Sequence, residues 1–503
     1  MTGLKQHQEL PNNWDDREKL RGKGQFWTPD WVAEAMVEYV LEDSDLLFDP
    51  AVGPGVFYQA LKSVTASQSS VRFYGTDIDE QILQQEIYQE SGCVVEKRDF
   101  IFTPPTALFK SIVANPPYIR HHRLSAEMKA KLREISRRIT GFTIDGRAGL
   151  HIYFLIQALQ LLQPDGKLAF IMPADTCEGV FADKLWTWIT SHFRLECVMT
   201  FAPEATPFPN VDTNAVVLLL KHAPPTGEIL WVRSKQAYSD DLKAFVRSGL
   251  QKQYFPSLDI VIRTLDEALR TGLSRPPIMQ TFCYTLADFA RVMRGIVTGA
   301  NEFFFLTRAR AEELHIHPEF LKLALGRTRD VEGAYVTRAT LDQLDRQGRP
   351  TLLFAPDGRK LSEFPEAVQT YLLYGEASGI HNRILIHTRN PWYKMEQREI
   401  PPFLFAYLGR RQARFIRNEA GVVPLTCFLC VYPLADDKEF VDNLWKVLQH
   451  PDTLEHLKLV GKSYGDGAIK VEPRSLESLP FSDQVVEQYH LSSKMGKKQL
   501  ALF

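Results

Sequence analysis

The stretch Leu46-Leu47-Phe48-Asp49-Pro50-Ala51-Val52-Gly53-Pro54-Gly55 decides the fold of the first half of this chain. A short apolar run ends at the acidic Asp49, and two glycines follow within one turn. Glycine lets a backbone turn tightly and lets a ligand approach it closely. A phosphate-binding loop would continue with Lys and then Ser or Thr, which this turn lacks. We therefore expect a strand-to-helix turn in which Asp49 can hold a cationic amino group.

A second acidic site follows the next apolar run, Val71–Tyr74, which ends in Gly75-Thr76-Asp77-Ile78-Asp79. An acid at the end of the second strand, roughly twenty residues after a glycine turn, is where nucleoside-binding sheets hold ribose hydroxyls. Asp77 is the first choice for this role because Ile78 is then free to pack on an adenine ring. Asp79 is the alternative, and a solvated surface acid is its simpler interpretation.

A third segment, Glu96–Phe100, ends in the pair Asp99-Phe100. Asp99 can accept a hydrogen bond from an adenine amino group, and the ring of Phe100 can stack on the adenine face. The alternative is a turn aspartate followed by a core aromatic residue.

The most informative tetrapeptide is Asn115-Pro116-Pro117-Tyr118, directly after the apolar run Ser111–Ala114. The two prolines lack backbone donors and have a fixed φ, so the segment is rigid and its carbonyl groups stay free. The side-chain carbonyl of Asn115 and the main-chain carbonyl of Pro116 can accept both protons of one exocyclic amine. Holding both N–H groups out of the ring plane makes the nitrogen a tetrahedral nucleophile, so positioning carries the reaction. Tyr118 offers a flat face on which a base can stack.

The order of apolar runs predicts an α/β domain over residues 24–223. Helices are expected at Trp31–Val40 and His151–Gln163. Strands alternate with helices, which indicates a mostly parallel, Rossmann-like sheet of about seven strands. The strand-like runs beyond those already named are Lys167–Met172, Cys197–Phe201 and Ala215–Leu220.

Pro224-Pro225 is the expected domain boundary in the sequence. Residues 1–23 form a polar segment, and residues 224–503 form a second domain of mixed α+β structure. A chain of 503 residues is too long for one core, which favours two domains.

Composition excludes several classes of protein. The formal net charge is −2, so a nucleic-acid partner must be met by a local basic surface. The six cysteines are scattered, which fits a reducing cytosol, and the close pair Cys427 and Cys430 is interpreted as buried thiols. The N-terminus is polar, with no apolar signal core, and no apolar run is long enough to span a bilayer.

Four motifs occur in a fixed order: Asp49–Phe57 (DPAVGPGVF), Gly75–Asp79 (GTDID), Arg98–Phe100 (RDF) and Asn115–Tyr118 (NPPY). In this order they resemble the gamma class of amino-methylating DNA methyltransferases from type II restriction–modification systems. The resemblance implies S-adenosyl-L-methionine as cofactor, no metal, and methyl transfer to N6 of adenine in double-stranded DNA after base flipping.

The resemblance also implies roles for individual residues. Thr28, in the segment 24–29 (GQFWTP), caps the methionine end of the cofactor. Phe208, in the segment 206–213 (TPFPNVDT), packs on the extruded base, as does Tyr118. The implied cofactor contacts are Asp49, Pro50, Ala51, Gly53 and Gly55 in the glycine turn, Asp77 at the ribose, and Ile78, Asp99 and Phe100 at the adenine. Pro54, between the two glycines, departs slightly from the family pattern.

Two regions are candidates for contact with DNA. Residues 120–147 are basic, and the phosphate-contacting candidates among them are Arg120, Arg123, Arg137 and Arg138. A solvated helix face is the alternative. In the second half, several segments resemble the target-recognition domains of the same family, namely Phe289–Asn301, Thr388–Lys394, Arg410, Arg411, Arg414 and Arg417, and Gly461–Lys470. Trp392 and Tyr393 are equally well interpreted as core residues.

Other substrates remain open from the sequence. Cytosine N4, RNA guanine or a protein glutamine can present the same NH₂ group to Asn115, and a catalytically inactive specificity protein is the non-enzyme alternative. No nuclease signature is visible and only a short polar stretch precedes residue 24, so we expect the cognate restriction endonuclease to be a separate protein. A monomer suits methylation of one strand at a time.

Overall fold

The computed structural model of the chain describes residues 26–65, 71–178, 181–209, 214–277, 282–406, 413–463 and 469–491. It divides into two compact units, Met1–Pro277 and Ile278–Phe503. Across the described ranges, no helix combines the length and apolar character that crossing a bilayer requires.

The first unit alternates strands and helices from its start. Its strands are β1 (Leu46–Asp49), β2 (Arg72–Asp77), β3 (Cys93–Lys97), β4 (Phe109–Ala114), β5 (Leu162–Pro173), β6 (Arg194–Phe201), β7 (Ala215–Lys221), β8 (Glu228–Ser234) and β9 (Leu258–Thr264). Its helices are α1 (Asp30–Leu41), α2 (Val56–Val64), α3 (Glu80–Leu83), α4 (Ala126–Thr140), α5 (Leu150–Gln160), α6 (Ala182–His192), α7 (Asp241–Arg247) and α8 (Leu265–Thr271).

These strands form one nine-stranded sheet in the order β3-β2-β1-β4-β5-β7-β6-β8-β9. Strands β1 to β5 pair in parallel, and β7 runs antiparallel to both of its neighbours. The sheet is therefore mostly parallel and Rossmann-like, as the alternation of strands and helices predicted.

Helices cover both faces of the sheet. One apolar core joins the sheet to α4, α5 and α6 through Leu132, Leu155 and Leu185, and a second joins it to α1, α2 and α7. Successive strand residues such as Leu47 and Phe48 enter opposite cores, because side chains alternate along a strand. This double burial explains why the strands read as nearly continuous apolar runs.

The expected boundary at Pro224 lies too early in the chain. Strand β8 pairs in parallel with β6, from Cys197↔Leu230 to Phe201↔Ser234, and β9 then pairs with β8. Trp231 and Val232 are buried, so the sheet continues through them to a ninth strand. Pro224-Pro225 is only the turn between β7 and β8, and the unit ends at Pro277.

A smaller correction concerns the helix expected at His151–Gln163. Helix α5 ends at Gln160, and strand β5 begins already at Leu162. The Pro164-Asp165-Gly166 sequence lies inside this strand, where Asp165 has a φ of 61° and the register with β4 shifts. A turn signal was therefore interpreted as a helix end, although it marks an irregularity within a strand.

The second unit contains several smaller sheets. Its strands are β10 (Tyr284–Thr285), β11 (Ala290–Arg294), β12 (Phe305–Leu306), β13 (Leu321–Leu325), β14 (Tyr335–Val336), β15 (Leu352–Phe354), β16 (Phe403–Ala406), β17 (Arg414–Asn418), β18 (Val423–Pro424), β19 (Phe428–Pro433), β20 (Lys462–Ser463), β21 (Ile469–Lys470) and β22 (Pro480–Phe481). Its helices are α9 (Asn301–Phe304), α10 (Arg308–Glu313), α11 (Arg338–Arg346), α12 (Glu366–Ala377), α13 (Lys438–Gln449), α14 (Pro451–Val460), α15 (Pro473–Glu477) and α16 (Asp483–Gln488).

The larger sheets of this unit have the strand orders β11-β19-β16-β17-β14 and β12-β15-β13-β18. The mixed α+β architecture that the sequence predicted for this half is present. Cys430 is buried, Cys427 is half-buried, and both are free thiols. Tyr393 is buried and Trp392 packs against the same apolar core, so the core interpretation of these two residues is correct.

Candidate active site

The expected site residues come together at one edge of the large sheet. Strands β2, β1 and β4 are adjacent and parallel, so their carboxyl ends meet there. Asp77 ends β2, Asp49 ends β1, and Asn115 follows β4 directly. Ligands of open α/β sheets bind beyond this edge of the sheet.

Three side chains that lie later in the sequence, those of Thr76, Asp77 and Tyr88, form hydrogen bonds with the backbone of the glycine turn after β1. The backbone N–H of Gly53 donates to Asp77 Oδ2 (3.1 Å). The Tyr88 hydroxyl donates to the carbonyl oxygens of Val52 (3.1 Å) and Gly53 (2.8 Å), and Thr76 Oγ1 donates to that of Pro50 (2.9 Å). Sequence reasoning missed Tyr88, because nothing around it indicates contact with a turn 35 residues earlier.

Two glycines at this turn are required for different reasons. Gly55 has a φ of 87°, in the left-handed region that favours glycine. Gly75, on β2, has no such φ, but a Cβ atom added there would lie 2.1 Å from Cγ1 of Val52. Strand β2 can therefore pass beneath the turn only without a side chain at position 75.

Asp49 presents an unpaired acceptor inside the site. Its side chain is 1% exposed, and Oδ1 accepts from the backbone N–H of Ala51 (3.0 Å). Oδ2 is buried and accepts from no described residue. Burial raises the pKa of Asp49 to about 8, and the nearby Asp77 adds to this shift. An orphaned carboxylate oxygen fits a cationic amino group, which is the group expected from the cofactor.

Asp77, Ile78 and Asp79 separate into distinct roles. Asp77 accepts backbone N–H groups from Gly53 and Asp79, and burial raises its pKa. Each carboxylate oxygen has two lone pairs, so Asp77 keeps capacity for a hydroxyl group. Ile78 is 66% exposed beside it, which fits an apolar ring face. Asp79 caps α3 by accepting from the N–H of Gln81, a structural task that the sequence did not suggest.

Asp99 and Phe100 have the contacts of a turn aspartate followed by a core aromatic residue, the alternative given for them above. Asp99 Oδ1 accepts from the backbone N–H groups of Ile101 and Phe102, as a turn aspartate does. Phe100 is 2% exposed, and its ring packs 5.9 Å from that of Phe48 and 5.3 Å from that of Phe154 in the core. No face of the Phe100 ring is open in the described structure, so the stacking of this ring on adenine stays a prediction that requires the ring to move.

Asn115 has a defined side-chain orientation. Its Nδ2 donates to the carbonyl oxygen of Phe26 (2.5 Å) and to Thr28 Oγ1 (3.1 Å). A carbonyl oxygen can only accept, so the amide nitrogen must be the atom facing Phe26. Both N–H groups are thereby used, and no described residue donates to Oδ1. Thr28 is buried and orients Asn115, a role additional to the one expected from the resemblance.

An aromatic cluster of Phe26, Tyr118 and Phe208 lies beside Asn115. The ring centroids are 5.6 Å apart for Phe26 and Tyr118, 5.9 Å for Phe26 and Phe208, and 6.2 Å for Tyr118 and Phe208. The Tyr118 hydroxyl donates to the carbonyl oxygen of Ile171 (3.0 Å), which fixes the ring. Tyr118 and Phe208 are 8% and 4% exposed, so the two expected base-contacting rings contact each other.

His151 lies behind Tyr118 and was not recognised from the sequence as a site residue. It is 5% exposed, its ring is edge-on to Tyr118 with centroids 6.0 Å apart, and neither ring nitrogen has a partner among the described residues. Burial lowers the pKa of His151 to about 4, although the charge of Asp175 opposes this shift. Gly149 makes room for the imidazole, since a Cβ there would lie 2.5 Å from Cε1 of His151.

The basic segment after the tetrapeptide forms a turn at His121–Arg123 and then α4. The four phosphate-contacting candidates Arg120, Arg123, Arg137 and Arg138 are all exposed. In the second unit, Arg414 donates to the carbonyl oxygens of Gly333 and Val331, and Arg417 pairs with Asp442. These two arginines stabilise their own domain, which the sequence did not indicate.

Some expected features fall outside the described residues. These are the polar segment 1–23, residues 24–25 and 210–213 of the two flanking motifs, Arg410 and Arg411, and residues 464–468 of the glycine-containing segment near the C-terminus. Within the described ranges, no three His, Cys, Asp or Glu side chains are grouped so as to hold a metal ion.

Comparisons with known proteins agree with this geometry. The family model described as Eco57I restriction-modification methylase matches residues 58–208, and that of the C-terminal domain of the type II methyltransferase M.Eco57I matches residues 279–500. Over these two ranges the chain is similar to type II restriction–modification methyltransferases. The second matched range begins at residue 279, next to the structural division after Pro277.

The relationship extends over nearly the whole chain. The type II methyltransferase M.AccI of Acinetobacter calcoaceticus is 24% identical, covering 90% of this chain and 84% of its own. M.XamI of Xanthomonas campestris pv. amaranthicola is 23% identical, covering 91% and 84%. The type IIG restriction endonuclease BpuSI superposes with a TM-score of 0.47 and 17% identity over 95% of this chain, which spans 62% of that longer protein. Methyl transfer to DNA is the activity that the similarity to these type II methyltransferases supports.

Proposed function

We propose that this protein transfers a methyl group from S-adenosyl-L-methionine to N6 of adenine in double-stranded DNA. It would protect DNA in a restriction–modification system whose endonuclease is a separate protein. The observation that carries the proposal is the orientation of Asn115. Both of its N–H groups are committed to Phe26 and Thr28, so its side-chain oxygen is left as an acceptor beside Pro116.

This arrangement suits one chemical task. An exocyclic amine has two protons and a lone pair that is delocalised into its ring. When Asn115 Oδ1 and the carbonyl of Pro116 accept both protons, the lone pair is directed out of the ring plane and becomes nucleophilic. Phe26 and Thr28 already orient Asn115 Oδ1 for this task, and preorganised dipoles of this kind lower a barrier.

The cofactor residues fit S-adenosylmethionine, which when bound supplies an electrophilic methyl group on a sulfonium. Asp49 would hold its amino group through the unpaired Oδ2, and Asp77 would hold the ribose hydroxyls. Ile78 would cover the adenine, since its side chain is exposed and apolar. Thr28 would act mainly by orienting Asn115.

The target adenine must leave the base stack to reach Asn115. Tyr118 and Phe208 would receive it, and their rings would have to separate because they now contact each other. Stacking on an aromatic side chain contributes ~1–3 kcal/mol, which is comparable to the cost of extruding a base. We expect Arg120, Arg123, Arg137 and Arg138 to contact phosphates near the target.

The test is an assay with labelled S-adenosylmethionine and duplex DNA, RNA or protein, followed by identification of the methylated species by mass spectrometry. We expect N6-methyladenine in DNA. N4-methylcytosine, methylated RNA or methylated glutamine as the only product would contradict the proposal.

Asn115→Ala tests the mechanism in the same assay. We expect the turnover rate to fall by ~10²–10³ because one preorganised acceptor is lost. The affinity for S-adenosylhomocysteine, measured by calorimetry, should stay within about twofold, since Asn115 faces the amine. Asn443→Ala, in helix α13 of the second unit, is the matched control. Near-normal turnover of Asn115→Ala would contradict the assigned role.

A further inference from the structure

One loop of the second unit combines positive charge with exposed aliphatic side chains. It comprises residues 379–394, GIHNRILIHTRNPWYK, and we call it the 379–394 loop. It contains Arg383, Arg389 and Lys394 together with two histidines, and it has no Asp or Glu. Such a composition is complementary to a polyanion.

Two adjacent aliphatic residues of the loop point into solvent. Ile384 is 81% exposed and Leu385 is 57% exposed, whereas the next residue, Ile386, is fully buried. Single exposed aliphatic residues are common on soluble proteins, whereas a contiguous exposed pair on an anchored loop is a candidate interaction site.

The base of the loop is firmly anchored. Ile386 packs over Gly299, where a Cβ atom would lie 2.7 Å from Cγ1 of Ile386. Arg389 Nη2 donates to the carbonyl oxygens of Val297 (2.7 Å) and Thr298 (2.9 Å). The loop is thus tied to the segment 297–299 at Ile386 and Arg389, which lie directly after the exposed pair.

A second attachment precedes the pair. Arg383 forms an ion pair with Glu302 at the start of α9. Ile384 and Leu385 therefore lie between fixed points, and the loop presents them without having to fold first. A preorganised apolar tip loses little conformational entropy on binding.

We propose that Ile384 and Leu385 form an apolar wedge that enters the base stack of duplex DNA. The proposal rests on the proposed function, because it takes duplex DNA as the substrate. Proteins that unstack or kink DNA insert aliphatic side chains between base pairs while cations meet the phosphates. The 379–394 loop supplies the aliphatic pair and the exposed Lys394, and it contains no carboxylate of its own, which favours DNA over a protein surface.

The decisive variant is the full-length double substitution Ile384→Ser with Leu385→Ser. Duplex affinity is measured by fluorescence anisotropy over a series of salt concentrations. We expect the dissociation constant to rise about tenfold or more, because two aliphatic side chains no longer leave water. The slope of log K against log salt should not change, since no phosphate contact is lost.

Lys394→Ala gives the contrasting result. It should reduce the salt slope by about one unit, as the loss of one phosphate contact does. Ile384→Leu with Leu385→Ile keeps the apolar surface and should bind like the wild type. Val94→Ser removes an aliphatic side chain on β3 that is 60% exposed, close to the exposure of Leu385, and it should leave duplex affinity unchanged.

A series of duplexes, each with one mismatch at a different position, supplies a second measurement of duplex affinity. Where the mismatch has already unstacked the site of insertion, the affinity deficit of the double serine variant should shrink. Unchanged duplex affinity of that variant, or a deficit accompanied by a lower salt slope, would overturn the wedge. A wild-type dimer that the substitution dissociates, with no change in DNA affinity, would overturn it in favour of a contact between two copies.

The two proposals fail separately. A wild-type protein that does not methylate adenine in duplex DNA refutes the proposed function. If the wild-type protein does methylate adenine in duplex DNA and the double serine variant binds the duplex with equal affinity, only the wedge is refuted. Equal melting temperatures and equal S-adenosylhomocysteine affinities verify that the variants are folded.

Discussion

At the scale of single residues, the site depends on two kinds of polar group. One kind is oriented by its hydrogen-bond partners, and the other is buried without a partner among the described residues. Asn115 is oriented by two acceptors, whereas Asp49 Oδ2 and both nitrogens of His151 are buried without a partner. Burying a polar group without a hydrogen bond costs ~1–3 kcal/mol. Such groups persist where a ligand or the reaction supplies what the folded chain does not.

Asp49 predicts that cofactor affinity depends on pH. Its pKa is raised to about 8, so the carboxyl group is mostly protonated at pH 7 in the free protein. Pairing with a cationic amino group requires the carboxylate, and binding therefore releases a proton. We expect the affinity for S-adenosylhomocysteine to increase by up to tenfold per pH unit from pH 6 towards pH 8.

Calorimetry across this range, in buffers of different ionisation enthalpy, checks both the affinity and the released proton. Asp49→Asn should bind more weakly at pH 8 and lose most of the pH dependence. An Asp49→Asn variant with the same pH dependence as the wild type would assign the titration to another group. For folding the sign is opposite: the stability from protonated Asp49 is complete below about pH 3.8 and is lost as pH rises through 8.

His151 predicts a loss of stability in acid. Its pKa in the folded state is lowered to about 4 from 6.5, so the unfolded chain binds more protons between these values. Stability is therefore complete above pH 6.5 and falls as the pH drops towards 4. His151→Leu should remove this part of the acid sensitivity, because an apolar side chain has nothing to protonate. The check is urea denaturation at pH 7 and pH 5, where an equal loss in both proteins would count against His151.

At the scale of elements, the edge of the sheet is built by close packing of a turn on a strand. The turn after β1 lies against β2 at Gly75, and the Tyr88 hydroxyl donates to two of its carbonyl oxygens. The elements that carry the site are thus joined by contacts distant in sequence.

Gly75→Ala should disturb this packing. The added methyl group would lie 2.1 Å from Val52, so the turn must shift. Overpacking of this kind costs ~1–3 kcal/mol of unfolding free energy, and cofactor affinity should fall with it because the turn forms the pocket. Gly227→Ala, where a Cβ meets no atom within 4 Å, is the matched control. Val52→Ala should rescue Gly75→Ala in the double variant, and failure to rescue would refute the steric explanation.

At the scale of the whole molecule, the division at Pro277 predicts which truncated chain folds. A chain ending at residue 277 keeps all nine strands of the sheet, whereas one ending at residue 222 exposes the edge of β6 and loses Trp231 and Val232 from the core. We expect residues 1–277 to be soluble and to bind S-adenosylhomocysteine, but to lack sequence-specific DNA binding in gel shifts. Residues 1–222 should aggregate. A well-folded 1–222 fragment would restore the earlier boundary.

The sequence by itself determined the order of the motifs and the chemistry that they can perform. Asp49, Asp77 and Asn115 each follow an apolar run, and parallel strands bring such positions to one edge. This outcome follows from local pattern and chain direction alone. The architecture of both halves and the relationship to methyltransferases followed from the same local signals.

The tertiary structure alone decided what each side chain contacts. The orientation of Asn115 depends on Phe26 and Thr28, 89 and 87 residues earlier. The inward-facing ring of Phe100, the task of Tyr88 and the isolation of His151 depend on packing between distant elements. The same holds for the boundary, because Pro224-Pro225 looks like a linker until β8 pairs with β6. Local patterns carry no record of pairings between residues that are tens of positions apart, and such pairings place the groups that carry out the chemistry.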